Sequence, residues 1–130
     1  MTKIEKYTKD YEDALFALIA AEGGEWSEYL GNNKQKYVDA LAKSETYLIF
    51  EKNELAGYAR CVNDFDLYVM DVLVDKNHRG KFLGQKLMSF VYETYNDKNA
   101  FVLAAENVLP FYSKLGYNAV GTLYQMTEKK

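Results

Sequence analysis

The fold class the sequence predicts is a single mixed α/β domain, a mainly antiparallel sheet of about six strands flanked by helices. Three observations predict it. Apolar residues between Tyr11 and Glu22 recur at helical spacing. From Thr46 to Val74 the pattern changes to dense β-forming runs separated by short polar turns. After that, helix and strand alternate to the end of the chain. The 130 residues, 48% of them hydrophobic, are enough to bury a core without disulfides or metals, and residues 1–130 are expected to form one domain.

Thr2 to Thr8 reads as a first strand and Lys9 to Glu22 as a helix. Tyr11, Leu15, Leu18 and Ile19 share a stripe that ends before Gly23-Gly24, a natural stop. Glu25 to Asn33 is turn-rich and holds the only tryptophan, Trp26. A second helix follows from about Lys34 to Lys43. Thr46 to Phe50, Leu55 to Val62 and Leu67 to Val74 then read as three antiparallel strands, with turns at Lys52-Asn53-Glu54 and around Asn63 to Asp66. Leu83, Leu87, Met88, Val91, Tyr92 and Tyr95 lie at helix spacing, and Phe101 to Ala105 is a short buried strand. Asn107 to Leu115 is a short helix with the only proline, Pro110, in its first turn and Gly116 as its cap. Tyr117 to Thr127 closes the chain as a last strand, with Val120, Leu123, Tyr124 and Met126 as core or interface contacts.

The net charge of −3 and the absence of a dense Lys/Arg stripe argue against nucleic acid as a partner. One cysteine, Cys61, excludes an intrachain disulfide and a multi-cysteine metal site, and it is expected to be a small core residue. The charged N-terminus and the lack of a long apolar run point to a cytoplasmic protein without a membrane partner. His78, the sole histidine, reads as a solvated loop residue, and no metal is implied.

Chemistry concentrates between Asp71 and Met88, where a strand passes through a basic loop into a helix. Unpaired backbone N–H groups at such a helix start, together with the positive end of its dipole, suit a pyrophosphate. Gly80 and Gly84 permit close backbone approach, and Arg79 and Lys81 add charge.

Arg79-Gly80-Lys81-Phe82-Leu83-Gly84 resembles the fingerprint Arg/Gln-x-x-Gly-x-Gly/Ala of the GNAT superfamily of acetyltransferases, with Phe82 in place of the inner glycine. A second segment, Pro110-Phe111-Tyr112-Ser113-Lys114-Leu115-Gly116-Tyr117, is similar to that family's Phe-Tyr-x-x-Leu-Gly-Phe signature. The resemblance covers about Ala56 to Met126 and implies acetyl-CoA as cosubstrate. It places the cofactor against Val72, Leu73, Val74, the loop Arg79 to Gln85, Asn107, Phe111 and Lys114. It assigns Tyr112 as general acid toward the departing thiolate, a role open to a phenol that is protonated at neutral pH. Asp71, or a water linked to it, is the expected base. The strand around it is similar to that of polyamine and thialysine acetyltransferases, which carry a Glu-Asp pair where this chain has Met70-Asp71. The resemblance also implies that the loop between the first two helices brings Glu25, Trp26, Glu28 and Tyr29 to the acceptor, with Tyr58 and Arg60 as further candidates. Aromatic faces and carboxylates together suit a cation. The resulting expectation is acetylation of a small primary amine. The alternatives are a peptide or protein amine, or a CoA-binding module without turnover. The aromatic last strand and the family's habit suggest a homodimer.

Overall fold

The computed structural model describes residues 1–128. Five strands, β1 (Thr2–Lys6), β2 (Glu45–Glu51), β3 (Glu54–Asn63), β4 (Leu67–Val74) and β5 (Ala100–Val102), lie side by side in chain order in one sheet. β1 to β4 pair antiparallel, and β5 runs parallel to β4. The helices are α1 (Glu12–Glu22), α2 (Lys34–Lys43), α3 (Leu83–Thr94) and α4 (Leu109–Lys114). Among the described residues, no helix is long and apolar enough to cross a membrane.

Strand alternation divides the core in two. Leu48, Tyr58 and Leu73 face one way and meet Leu15, Ile19, Tyr37 and Leu41 of α1 and α2. Tyr47, Ile49, Ala59 and Val69 face the other way and meet Leu83, Leu87 and Val91 of α3 and Tyr112 of α4. Because both sheet faces are covered, β2 is buried from Thr46 to Phe50 without the polar alternation of a half-exposed strand. The β2–β3 hairpin turns at Lys52 and Asn53, whose φ values of 52° and 69° supply the left-handed pair that a tight two-residue hairpin needs.

Two irregularities shape the centre of the sheet. Arg60 stands opposite Asp71 while Cys61 stands opposite Val69, so Met70 is an extra residue in β4. Such a bulge reverses the facing of every residue beyond it. In addition, β4 and β5 pair only over Leu67–Val69 and Ala100–Val102, with a last bond from Leu103 N–H to the Val69 carbonyl. From Met70 to Val74, β4 keeps β3 on one side and, among the described residues, has no strand on the other.

The sequence expectation fails at the C-terminus. Tyr117 to Thr127 is not a strand, and the sheet has five strands instead of about six. Val120, Leu123, Tyr124 and Met126 are not core residues of this chain but are exposed. Apolar alternation makes a segment fit for a sheet, but a strand exists only where a neighbouring edge supplies its ladder. The expected helix at Lys9 likewise begins with a single 3₁₀ turn, Lys9–Tyr11, before α1.

Gly57 of β3 crosses β4 so closely that a Cβ there would lie 2.6 Å from the Leu73 carbonyl oxygen. Gly57→Ala is therefore expected to destabilise the fold by about 2–3 kcal/mol, the cost of overpacking against unyielding backbone. The shift of the urea unfolding midpoint measures it.

Candidate active site

Where β4 and β5 part, a cavity of about 1290 Å³ opens. Its walls come from Met70 to Val74 of β4, the loop before α3 and that helix as far as Glu93, the segment from Glu22 to Tyr29, Leu103 and Ala105 after β5, and the α4 region from Asn107 to Tyr117. These segments, scattered in sequence, include nearly all the residues singled out above. Asp71, Tyr112, Val72, Leu73, Val74, Arg79, Gly80, Phe82 to Gln85, Asn107, Phe111 and Lys114 line it, and so do Glu25, Trp26, Glu28 and Tyr29.

Three residues stand elsewhere than the sequence suggested. Tyr58 is fully buried in the α1/α2 core, its hydroxyl 2.7 Å from that of Tyr37, and it does not reach the cavity. Lys81 turns to the β2–β3 side, where its Nζ donates to Glu51 at 2.7 Å, and it is absent from the cavity wall. His78 is not solvated. Its Nδ1 lies 3.0 Å from Asp75 and its Nε2 3.5 Å from Glu54, and its ring is mostly covered. A short polar loop read from sequence looks exposed, and only the fold shows that its ring nitrogens meet two carboxylates. Cys61 is a core residue, and burial pushes its thiol up to about 12, which leaves it inert as a nucleophile.

The loop is built around Asp75, whose carboxylate accepts from the Asn77 N–H and so starts the turn Lys76–His78. Arg79 follows, its Nε donating to the Val74 carbonyl at 3.1 Å and its Nη2 to Glu22 of α1 at 2.6 Å. α3 then begins at Leu83, its first N–H groups without partners inside the helix. Phe82, just before it, has φ 61° and ψ 22°, the left-handed conformation that a glycine adopts freely, and its side chain is 72% exposed. Gly84 is needed for closeness of another kind. A Cβ there would lie 3.1 Å from the Phe111 ring, so its absence lets α4 rest on the first turn of α3.

Asp71 is held on all sides. Arg60 Nε donates to its Oδ2 at 2.6 Å, Tyr37 donates to the same oxygen at 2.7 Å, and Tyr29 donates to Oδ1 at 2.9 Å. Arg60 in turn donates to Ser44 Oγ at 3.1 Å, and its guanidinium lies over the Tyr37 ring. The ion pair is buried, with side-chain exposures of 14% and 8%. Burial first, and the Asp71 charge next, push the Tyr29 phenol well above its ordinary pKa. Tyr37 rises too, through burial and the neighbouring Tyr58 and Asp71. Tyr112 is buried against α3 and stacked with Tyr117, and burial raises its phenol to about 12. Among the described residues, Glu25 and Glu28, which also line the cavity, form no ion pair.

Sequence reasoning missed Tyr37 and Ser44 and did not link Arg60 to Asp71. Counting outward from the β3–β4 turn without the bulge puts Met70, not Asp71, opposite Arg60. The signal was a buried aspartate in an apolar strand, which demands a cation nearby.

Residues 8–127 match the model of the acetyltransferase (GNAT) domain. Among solved structures, a GNAT family acetyltransferase of Streptococcus pneumoniae superposes with a TM-score of 0.77 at 20% identity, covering 98% of this chain and 100% of that one. A protein described as a transcriptional regulator from Bacillus halodurans superposes at 0.81 with 15% identity, over 98% of this chain and 100% of that one. An aminoglycoside acetyltransferase from an uncultured soil sample, in complex with trehalose, superposes at 0.72 with 18% identity, over 99% and 96%. At these identities the superpositions speak for the fold.

Replacing Phe82 by glycine relieves left-handed strain at little cost in buried area. Phe82→Gly is expected to stabilise the chain by about 1 kcal/mol, seen as a raised melting temperature that Phe82→Ala does not reproduce. Arg60→Ala strands the Asp71 carboxylate in the core and is expected to cost about 3–5 kcal/mol in urea unfolding at neutral pH.

Proposed function

Because the chain belongs to the GNAT family of acetyltransferases, we propose that it transfers an acetyl group from acetyl-CoA to the primary amine of a small cationic molecule, both held together in the cavity between β4 and β5. The observation that carries this reading is the convergence there of a strand edge without a partner, a helix N-terminus and an acidic, aromatic wall. The residues fit the cosubstrate. The free backbone edge from Met70 to Val74 offers donors and acceptors to an amide-bearing arm. Arg79 and the first turn of α3 offer cationic and N–H groups to a pyrophosphate, and Phe111 closes over Gly84.

Acetyl-CoA supplies an activated carbonyl. The amine nitrogen bonds to that carbon, the carbon–sulfur bond breaks, and the ammonium proton must leave before attack. Glu25, Glu28 and the faces of Trp26 and Tyr29 attract the cation. Asp71, occupied by Arg60 and Tyr37, fixes the Tyr29 hydroxyl at the cavity wall. The proton passes to water or to one of the unpaired glutamates. Tyr112, with its phenol near 12, stays protonated at neutral pH and donates a hydrogen bond to the departing sulfur. Full transfer to a thiolate of pKa about 8.5 is uphill by roughly 3–4 units, so the bond itself is the contribution and the final proton comes from solvent.

A CoA-release assay over polyamines, amino acids, aminoglycosides and short peptides tests the reading. Turnover of a small cationic amine is expected. CoA binding with no amine acetylated would instead identify a binding module, the reading that Phe82 in the loop favours. With a substrate in hand, Tyr112→Phe is expected to lower kcat about 10²-fold, at the low end of general-acid effects. The loss should be uniform from roughly pH 6 to 10, because the phenol remains protonated across that range.

A further inference from the structure

Phe82 stands where the family's motif has its inner glycine, and the fold does not account for the exchange. The backbone there has φ 61° and ψ 22°, a left-handed conformation that strains any residue with a Cβ. Its carbonyl accepts from the Lys86 N–H at 3.0 Å, so relaxing the strain would disturb the start of α3. The ring is 72% exposed and, among the described residues, pairs with no other ring. An exposed apolar side chain alone needs no account. One kept on strained backbone, where glycine costs less, brings this fold nothing that would hold it there.

Two observations tie the ring to a ligand. It lies on the wall of the β4–β5 cavity, with Gly80, Gly84 and Gln85. The cations of the same loop are engaged elsewhere, for Lys81 donates to Glu51 and is off the cavity wall, while Arg79 is bonded to Glu22. The loop's grip on an anion is thus weaker than its sequence suggests, and a contact of another kind has room to contribute. Acetyl-CoA has one aromatic part, its adenine, joined to the pyrophosphate on the side away from the pantetheine arm. With the arm along the free edge of β4 and the pyrophosphate at the start of α3, the adenosine is left on the outer side of the loop, where the Phe82 ring is exposed. Stacking on an aromatic side chain is worth about 5- to 150-fold in affinity per base, enough to offset a strain of roughly fivefold.

We propose that the adenine of the cosubstrate stacks on the face of Phe82, so that this chain holds the nucleotide half of CoA by an aromatic ring at a position where its family has glycine. The inference rests on the acetyl-CoA reading and adds to it the residue that reads the base.

Equilibrium binding of CoA to the full chain, followed by calorimetry, tests this without an acceptor amine. Phe82→Gly and Phe82→Ala are expected to raise the Kd for CoA about tenfold, and Phe82→Trp to restore it. ADP, which lacks the arm, should lose the same factor, whereas inorganic pyrophosphate, which lacks the base, should lose nothing. The fluorescent etheno-adenine analogue of CoA should emit less when bound to the native chain than when bound to Phe82→Gly, because stacking quenches the base. Phe82→Gly should at once melt higher and bind CoA more weakly, a pairing that a purely structural ring does not produce. Equal Kd values across the variants, a loss that Trp does not restore, a loss shared by pyrophosphate, or etheno emission indifferent to residue 82 overturns the inference and leaves the acetyl-CoA reading in place. A native chain that binds no CoA overturns both.

Discussion

The Arg60–Asp71 ion pair, formed between neighbouring strands, ties α2 and the segment before it to the centre of the sheet. Arg60 belongs to β3 and Asp71 to β4, and Tyr37 of α2 and Tyr29 of the 24–29 segment close the ring of donors. Two charges withdrawn from water at the sheet centre are tolerable only if their partners stay in place. The position of the segment carrying Trp26 and Tyr29, and hence one wall of the cavity, is tied to this demand. A bulge of one residue at Met70 creates it by turning Asp71 toward α2.

Most of the fold was legible because its periodicities are strong. The β2 to β4 meander, α3 and the short α4 appear where alternation, helical spacing and the Pro110 and Gly116 signals place them. The last strand was misread for a reason internal to β structure. Tyr117 to Thr127 has the composition of a strand, but composition does not say whose edge it meets. A helix closes its own hydrogen bonds, and a strand borrows them.

The site was legible as a list and illegible as an arrangement. Motif residues converge on one cavity, where Gly84 and Phe111 pack closely at the start of α3 and Arg79 is held by the Val74 carbonyl and Glu22. Tyr58 and Arg60 were both candidates for the acceptor side. The fold buries Tyr58 and turns Arg60 onto Asp71, where one residue of bulge alters which side chains oppose each other. Lys81 and His78, polar loop residues by sequence, found carboxylates on the β2–β3 hairpin that no local pattern announces.

Arg79 already has an anion. Its bond to Glu22 of α1 means that the loop is not a bare positive patch but a guanidinium with a resident counter-ion on the cavity wall. Any phosphate that engages Arg79 competes with that carboxylate, so part of its attraction is spent on exchange. The displaced Glu22 charge then faces the same cavity without its cation. Filling the anion side therefore makes the remaining space more negative, and a positively charged second guest is drawn more strongly after the first has arrived than before.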